Sequence, residues 1–162
     1  MISVLCSAQK QEAESRKQEA ESRKQEAENQ PDTAKAVVAP IAAGEIITLT
    51  KADFLTNIYN YEKTPDEWVY EGSLPCIIDF YSDWCGPCKR VEPILKQMAK
   101  NYAGRIIIYK INIDKERELA TAFGVRSIPT YLFVNPKEQP KSAVGALSQE
   151  TFEQIIKEHL LK

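Results

Sequence analysis

Cys85 and Cys88, with only Gly86 and Pro87 between them, stand at the junction of two stretches with different periodicities. Before them runs Ile77-Ile78-Asp79-Phe80-Tyr81, apolar at successive positions except for one carboxylate. That pattern suits a strand buried on both faces. After them, apolar residues fall at Val91, Ile94, Leu95, Met98 and Ala99, the stripe of an amphipathic helix. The pair is therefore expected where a strand ends and a helix begins. Free N–H groups and the helix dipole favour negative charge there, and on a cysteine that charge is a thiolate. Cys85, nearer the loop and the helix N-terminus, is expected to attack a disulfide; Cys88, one turn inside, is expected to resolve the mixed disulfide. Gly86 and Pro87 add neither a basic side chain nor an imidazole. A less stabilised thiolate makes a better reductant, so the pair is expected to reduce rather than oxidise.

Other uses of the cysteines fit less well. Four of them, Cys6, Cys76, Cys85 and Cys88, are too few and too scattered for a disulfide scaffold. A zinc site needs about four ligands. The one histidine, His159, falls far along the chain in a helical pattern, where it reads as a polar position at the edge of an apolar stripe. No metal is expected. Cys76 opens the apolar strand and reads as a buried free thiol. No Gly-x-Gly-x-x-Gly run and no phosphate-binding loop are present, so no cofactor is expected. A net charge of −2 gives no electrostatic case for nucleic acid. No apolar run approaches the ~20 residues of a membrane span.

The chain divides into residues 1–44 and residues 45–162. In the first part Lys10–Arg16 is repeated as Lys17–Arg23 and varied as Lys24–Gln30. Each heptapeptide offers one alanine and no larger apolar residue, whereas a coiled coil needs two apolar positions per heptad. The repeat reads as a solvated tether. Ahead of it, Cys6-Ser7-Ala8 has the small residues of a signal-peptidase edge, or Cys6 carries a lipid; an ordinary cytosolic N-terminus is the other reading. With the tether, the expectation is the remnant of an export signal and a place in the periplasm or cell envelope, the cytoplasm being the alternative.

From residue 45 the elements follow closely. Ile46–Leu49 reads as a strand, and Thr50-Lys51-Ala52-Asp53 as a capping box opening a helix. A long connection, Asn60–Pro75, holds Trp68 and Tyr70 and is expected to cover one edge of the core. The helix after Cys85 should reach about Asn101, kinked at Pro93. Ile106–Ile111 is a strand, Lys115–Phe123 a helix, and Thr130–Val134 and Ser142–Gly145 two strands. Ser148 caps a last helix. The order βαβαββα fits an α/β class, with a mixed sheet and helices on both faces.

Three segments carry a family resemblance: Trp84-Cys85-Gly86-Pro87-Cys88-Lys89, Ile128-Pro129-Thr130 and Val144-Gly145-Ala146-Leu147. In this order they resemble the active site, the cis-proline loop and the last strand end of the thioredoxin family, over residues 45–162. The resemblance implies the thioredoxin fold, a central mixed sheet flanked by helices, and a monomer that reduces protein disulfides. It implies a cis bond between Ile128 and Pro129 facing the sulfurs, with Trp84 and Gly145 completing a groove for an extended substrate segment. Asp79, a carboxylate in an apolar strand, should have a raised pKa and accept the Cys88 proton. In the family the matching aspartate does so with a lysine nearby, and Lys110 matches that lysine. The partners implied are disulfide-bearing proteins and an upstream reductase, either a thioredoxin reductase or a membrane electron conduit. Two rivals stand beside this reading: a disulfide oxidase or isomerase on the same fold, and a non-catalytic binding module using the same surface.

Overall fold

Every residue of strand β2, Cys76–Tyr81, is buried except the last, which is half-buried. Such a strand must be hydrogen-bonded on both sides and covered on both faces. The computed structural model, in which residues 44–162 are described, meets both demands. The heptapeptide repeat, the Met1–Ala8 segment and Cys6 lie outside the described residues.

The sheet has five strands in the order β1-β3-β2-β4-β5: β1 (Ile46–Thr48), β2, β3 (Ile107–Asn112), β4 (Thr130–Val134) and β5 (Lys141–Val144). Strands β1, β3 and β2 run parallel, whereas β4 is antiparallel to β2 and β5 to β4. Parallel neighbours need crossover connections. These contain α1 (Lys51–Asn57) and α2 (Gly86–Asn101); α3 (Arg117–Ala122) leads from β3 to β4. The chain ends in α4 (Gln149–Ile155), extended by a π-helical turn at Ile156–Leu160. The element order is therefore βαβαβαββα, in which every strand and helix expected from residue 45 onward is present; the string βαβαββα counts one βα pair too few. Helix α2 continues through Pro93, which lies on its exposed side, as far as Asn101.

Alternation along β2 sends Cys76, Ile78 and Phe80 to one face and Ile77 and Asp79 to the other. On the first face they pack with Phe54 and Ile58 and with Leu119 of α3. The Asn60–Pro75 connection adds Trp68 and Tyr70 to this cluster, and the Tyr59 and Trp68 rings lie 4.4 Å apart. On the second face Ile77, Ile108, Tyr131 and Phe133 meet Val91, Leu95 and Met98 of α2 and Phe152, Ile156 and Leu160 at the chain end. The capping box at Thr50 forms as expected, with Asp53 N donating to Thr50 Oγ1 and Asp53 Oδ2 accepting from Thr50 N.

His159 departs from the sequence reading. It is buried, not at the edge of a stripe; its Nδ1 lies 3.0 Å from Glu138 Oε2, and its carbonyl accepts from Asn135 Nδ2. The π turn explains the difference. Five-residue spacing of the backbone bonds moves position 159 away from where a regular helix would put it.

Candidate active site

Strand β2 stops at Tyr81, and Ser82-Asp83-Trp84 turns the chain into α2. Cys85 is the N-cap of that helix, in extended backbone conformation, and its Sγ accepts a hydrogen bond from Cys88 N at 3.1 Å. The Cys85 sulfur thus occupies the place a capping oxygen would take, on the donor groups at the head of the helix. Pro87, in the first turn, needs no intrahelical donor. The sulfurs of Cys85 and Cys88 are joined as a disulfide, so the structure shows the oxidised form. Both residues are buried in this form, Cys85 at 3% and Cys88 at 6% exposure. Exposure therefore does not separate them; their positions on the helix do. The Gly86-Pro87 pair adds no charge, but a basic group does reach this end of the helix. A Cβ placed on Gly86 would lie 4.0 Å from Arg90 Nη1.

The loop before Cys85 is pinned by residues that sequence reasoning missed. Asp114 Oδ2 accepts from Ser82 Oγ and from Trp84 Nε1, the latter at 3.1 Å. Asn112 Nδ2 donates to Asp83 Oδ2 at 3.2 Å, and Asn112 Oδ1 accepts from Asp114 N. The one sequence signal was a polar Asn-Ile-Asp end to an apolar strand. The clamp leaves the Trp84 ring 70% exposed beside the disulfide. Core packing is thereby excluded for Trp84.

The Ile128–Pro129 bond is cis. Thr130, the next residue, pairs with Phe80 at the end of β2 that leads to the cysteines, so this loop shares their end of the sheet. Pro129 O accepts from Gly145 N at 2.8 Å, and Gly145 has φ +98°. The backbone thus brings Pro129 and Gly145 together. Val144 beside them is exposed.

Asp79 lies beneath α2. It is opposite Lys110 in the β2–β3 register and opposite Tyr131 in β2–β4. Its carboxyl is buried, and Oδ1 has no hydrogen-bond partner in the protein. Burial pushes its pKa from 3.8 up to about 7; Lys110 works against the rise and Glu92 adds to it. Asp79, Cys88, Glu92 and Lys110 line one cavity of about 90 Å³. Asp79 and Lys110 are thus cross-strand neighbours that line the same cavity as Cys88. Cys76 is fully buried away from this cavity, on the opposite face of β2, and desolvation raises its thiol pKa to about 12. No group of metal-ligating side chains occurs among the described residues.

A dithiol at a strand–helix junction, over a buried carboxylate and beside a cis-proline loop, defines a thiol–disulfide oxidoreductase. The thioredoxin family model matches residues 46–158, and the chain belongs to that family. It is 45% identical over 112 residues to a thioredoxin of Borreliella burgdorferi, covering 69% of this chain and 95% of the relative. A thioredoxin of Haemophilus influenzae is 33% identical over 72% of this chain and 98% of its own. With a chloroplastic M-type thioredoxin of Spinacia oleracea the identity is 40%, but only 52% of that protein is spanned. Among solved structures, a mutant thioredoxin from Halobacterium salinarum superposes with a TM-score of 0.59 at 26% identity, covering 75% of this chain and 96% of the other. The chain is a protein-disulfide reductase working through the reversible Cys85/Cys88 pair.

Proposed function

We propose that Cys85 is the attacking thiol, Cys88 the resolving thiol and Asp79 the acceptor of the Cys88 proton. The observation that carries this assignment is the bond from Cys88 N to Cys85 Sγ, which gives a Cys85 thiolate a ready donor at the helix N-terminus. In the reduced protein the Cys85 thiolate attacks one sulfur of a substrate disulfide. The substrate S–S bond breaks, and its other sulfur leaves as a thiolate and takes up a proton. Cys88 then gives its proton to Asp79 and attacks Cys85 Sγ. The mixed disulfide breaks, the second substrate thiolate leaves, and the Cys85–Cys88 disulfide forms. Two electrons have passed from the protein to the substrate.

The exposed Trp84 ring, Ile128, the backbone at Pro129 and the Gly145 turn support a groove that receives an extended segment of the substrate protein. The donor that restores the dithiol is a reductase of the thioredoxin reductase type or a membrane electron conduit. The polar heptapeptide repeat supports a tethered domain in the bacterial envelope, with the cytoplasm as the alternative. Protease accessibility in spheroplasts decides between them: protection from protease in intact spheroplasts would place the protein in the cytoplasm.

The thiol roles are tested with single variants. Cys88→Ser should trap substrates as mixed disulfides on Cys85, because nothing remains to release them. Cys85→Ser should lose insulin disulfide reduction and trap nothing. Adducts on Cys88 in Cys85→Ser would reverse the two roles.

A further inference from the structure

The cavity under Cys88 is lined by charged groups that the exchange steps above do not use, and Glu92 is one of them. Glu92 lies four residues beyond Cys88 on α2, hence on the same side of the helix, and it lines the cavity with Asp79 and Lys110. Its carboxylate is half-buried and held by Lys96 Nζ at 2.8 Å, one further turn along. The groups facing Asp79 come from every side. Lys110 belongs to β3, Tyr131 to β4, Cys88, Lys89 and Glu92 to α2, and Asp83 to the loop after β2. Of these, Lys110 favours the ionised form of Asp79 and Glu92 opposes it. The hydrogen bond from Lys96, and behind it Lys110, holds the Glu92 carboxyl below the usual range, so Glu92 keeps its charge while Asp79 titrates.

We propose that Glu92 is a positioning residue for the second exchange step: from the α2 side of the cavity it competes with Asp79 for the charge of Lys110, and so sets when Asp79 can take the Cys88 proton. This rests on the reading of Asp79 as the proton acceptor. With Glu92 ionised, Lys110 is shared between two carboxylates, and Asp79 keeps its proton to a higher pH than Lys110 alone would allow. Lys96 restrains the effect, because its ammonium offsets part of the Glu92 charge.

The arrangement predicts shifts of opposite sign at two neighbouring positions. Glu92→Gln keeps the shape and removes the charge, so Asp79 should ionise at lower pH. Lys96→Gln leaves Glu92 unbalanced, so Asp79 should ionise at higher pH. Both variants are made in the full chain and reduced. The Asp79 carboxyl is followed by carbon-13 NMR against pH, and release of the transient mixed disulfide, formed by rapid mixing with a substrate disulfide, is timed across the same range. The rise of the release rate with pH should move with the Asp79 midpoint, downward in Glu92→Gln and upward in Lys96→Gln. An unmoved Asp79 midpoint in Glu92→Gln overturns the proposal whatever the kinetics do. A midpoint that moves while the release profile stays fixed overturns the Asp79 proton-acceptor reading instead, and leaves the hold of Glu92 on Asp79 standing.

Discussion

A carboxyl group with its pKa near 7 inside a folded chain is a cost that rises with pH. Below about pH 4, Asp79 is protonated in both the folded and the unfolded chain and has no electrostatic effect on stability. As pH climbs toward 7 the unfolded chain loses the proton first, because the folded pKa is raised to about 7. Stability therefore falls across that window and levels off above it. The rise from 3.8 to about 7 corresponds to about 4 kcal/mol at full effect, an upper figure since the group is not wholly sealed from water. Asp79→Ala should remove this slope. Its gain over the unaltered protein should grow between pH 4 and pH 8, on top of a pH-independent loss from the space left behind. Urea unfolding of the two proteins at several pH values checks it; parallel curves would mean that Asp79 is solvated. The same variant should slow release of the mixed disulfide more than the first attack by Cys85.

Among the elements, those with strong periodicity were legible from sequence: the apolar β2 run and the α2 stripe marked the strand–helix junction. The capping residues Thr50 and Ser148 marked helix starts because a side-chain oxygen there meets a free N–H. What sequence could not give were pairings between distant segments. The Asp114 clamp on Trp84 depends on the β3–α3 turn lying beside the β2–α2 turn, a contact created by the sheet order. Glu92 falls outside the apolar stripe of α2, and only the cavity brings it into one lining with Lys110. Gly145 shows how one backbone angle carries an element's function. A Cβ there would meet nothing within 4 Å, so a substitution would act through φ +98° alone. Gly145→Ala should lower stability by about 1–2 kcal/mol and weaken the tie from Gly145 N to Pro129 O. A urea midpoint unchanged by the substitution would show that the turn relaxes freely.

At the scale of the whole molecule, the sheet separates two tasks. One face, under α2 and α4, carries the carboxylates and Lys110 beneath the dithiol; the other is a sealed aromatic layer built from α1, α3 and the Asn60–Pro75 connection. Of the two tryptophans of the chain, only Trp68 belongs to the aromatic layer. Trp84 stands exposed next to Cys85, while Trp68 packs into the aromatic layer against Tyr59 and Phe123. A disulfide quenches indole emission at close range, so the emission of Trp84, the residue before Cys85, should rise when the pair is reduced. Light from Trp68 follows the integrity of the packed layer. The molecule thus has two optical channels, and one emission spectrum can follow electron transfer and unfolding as separate signals.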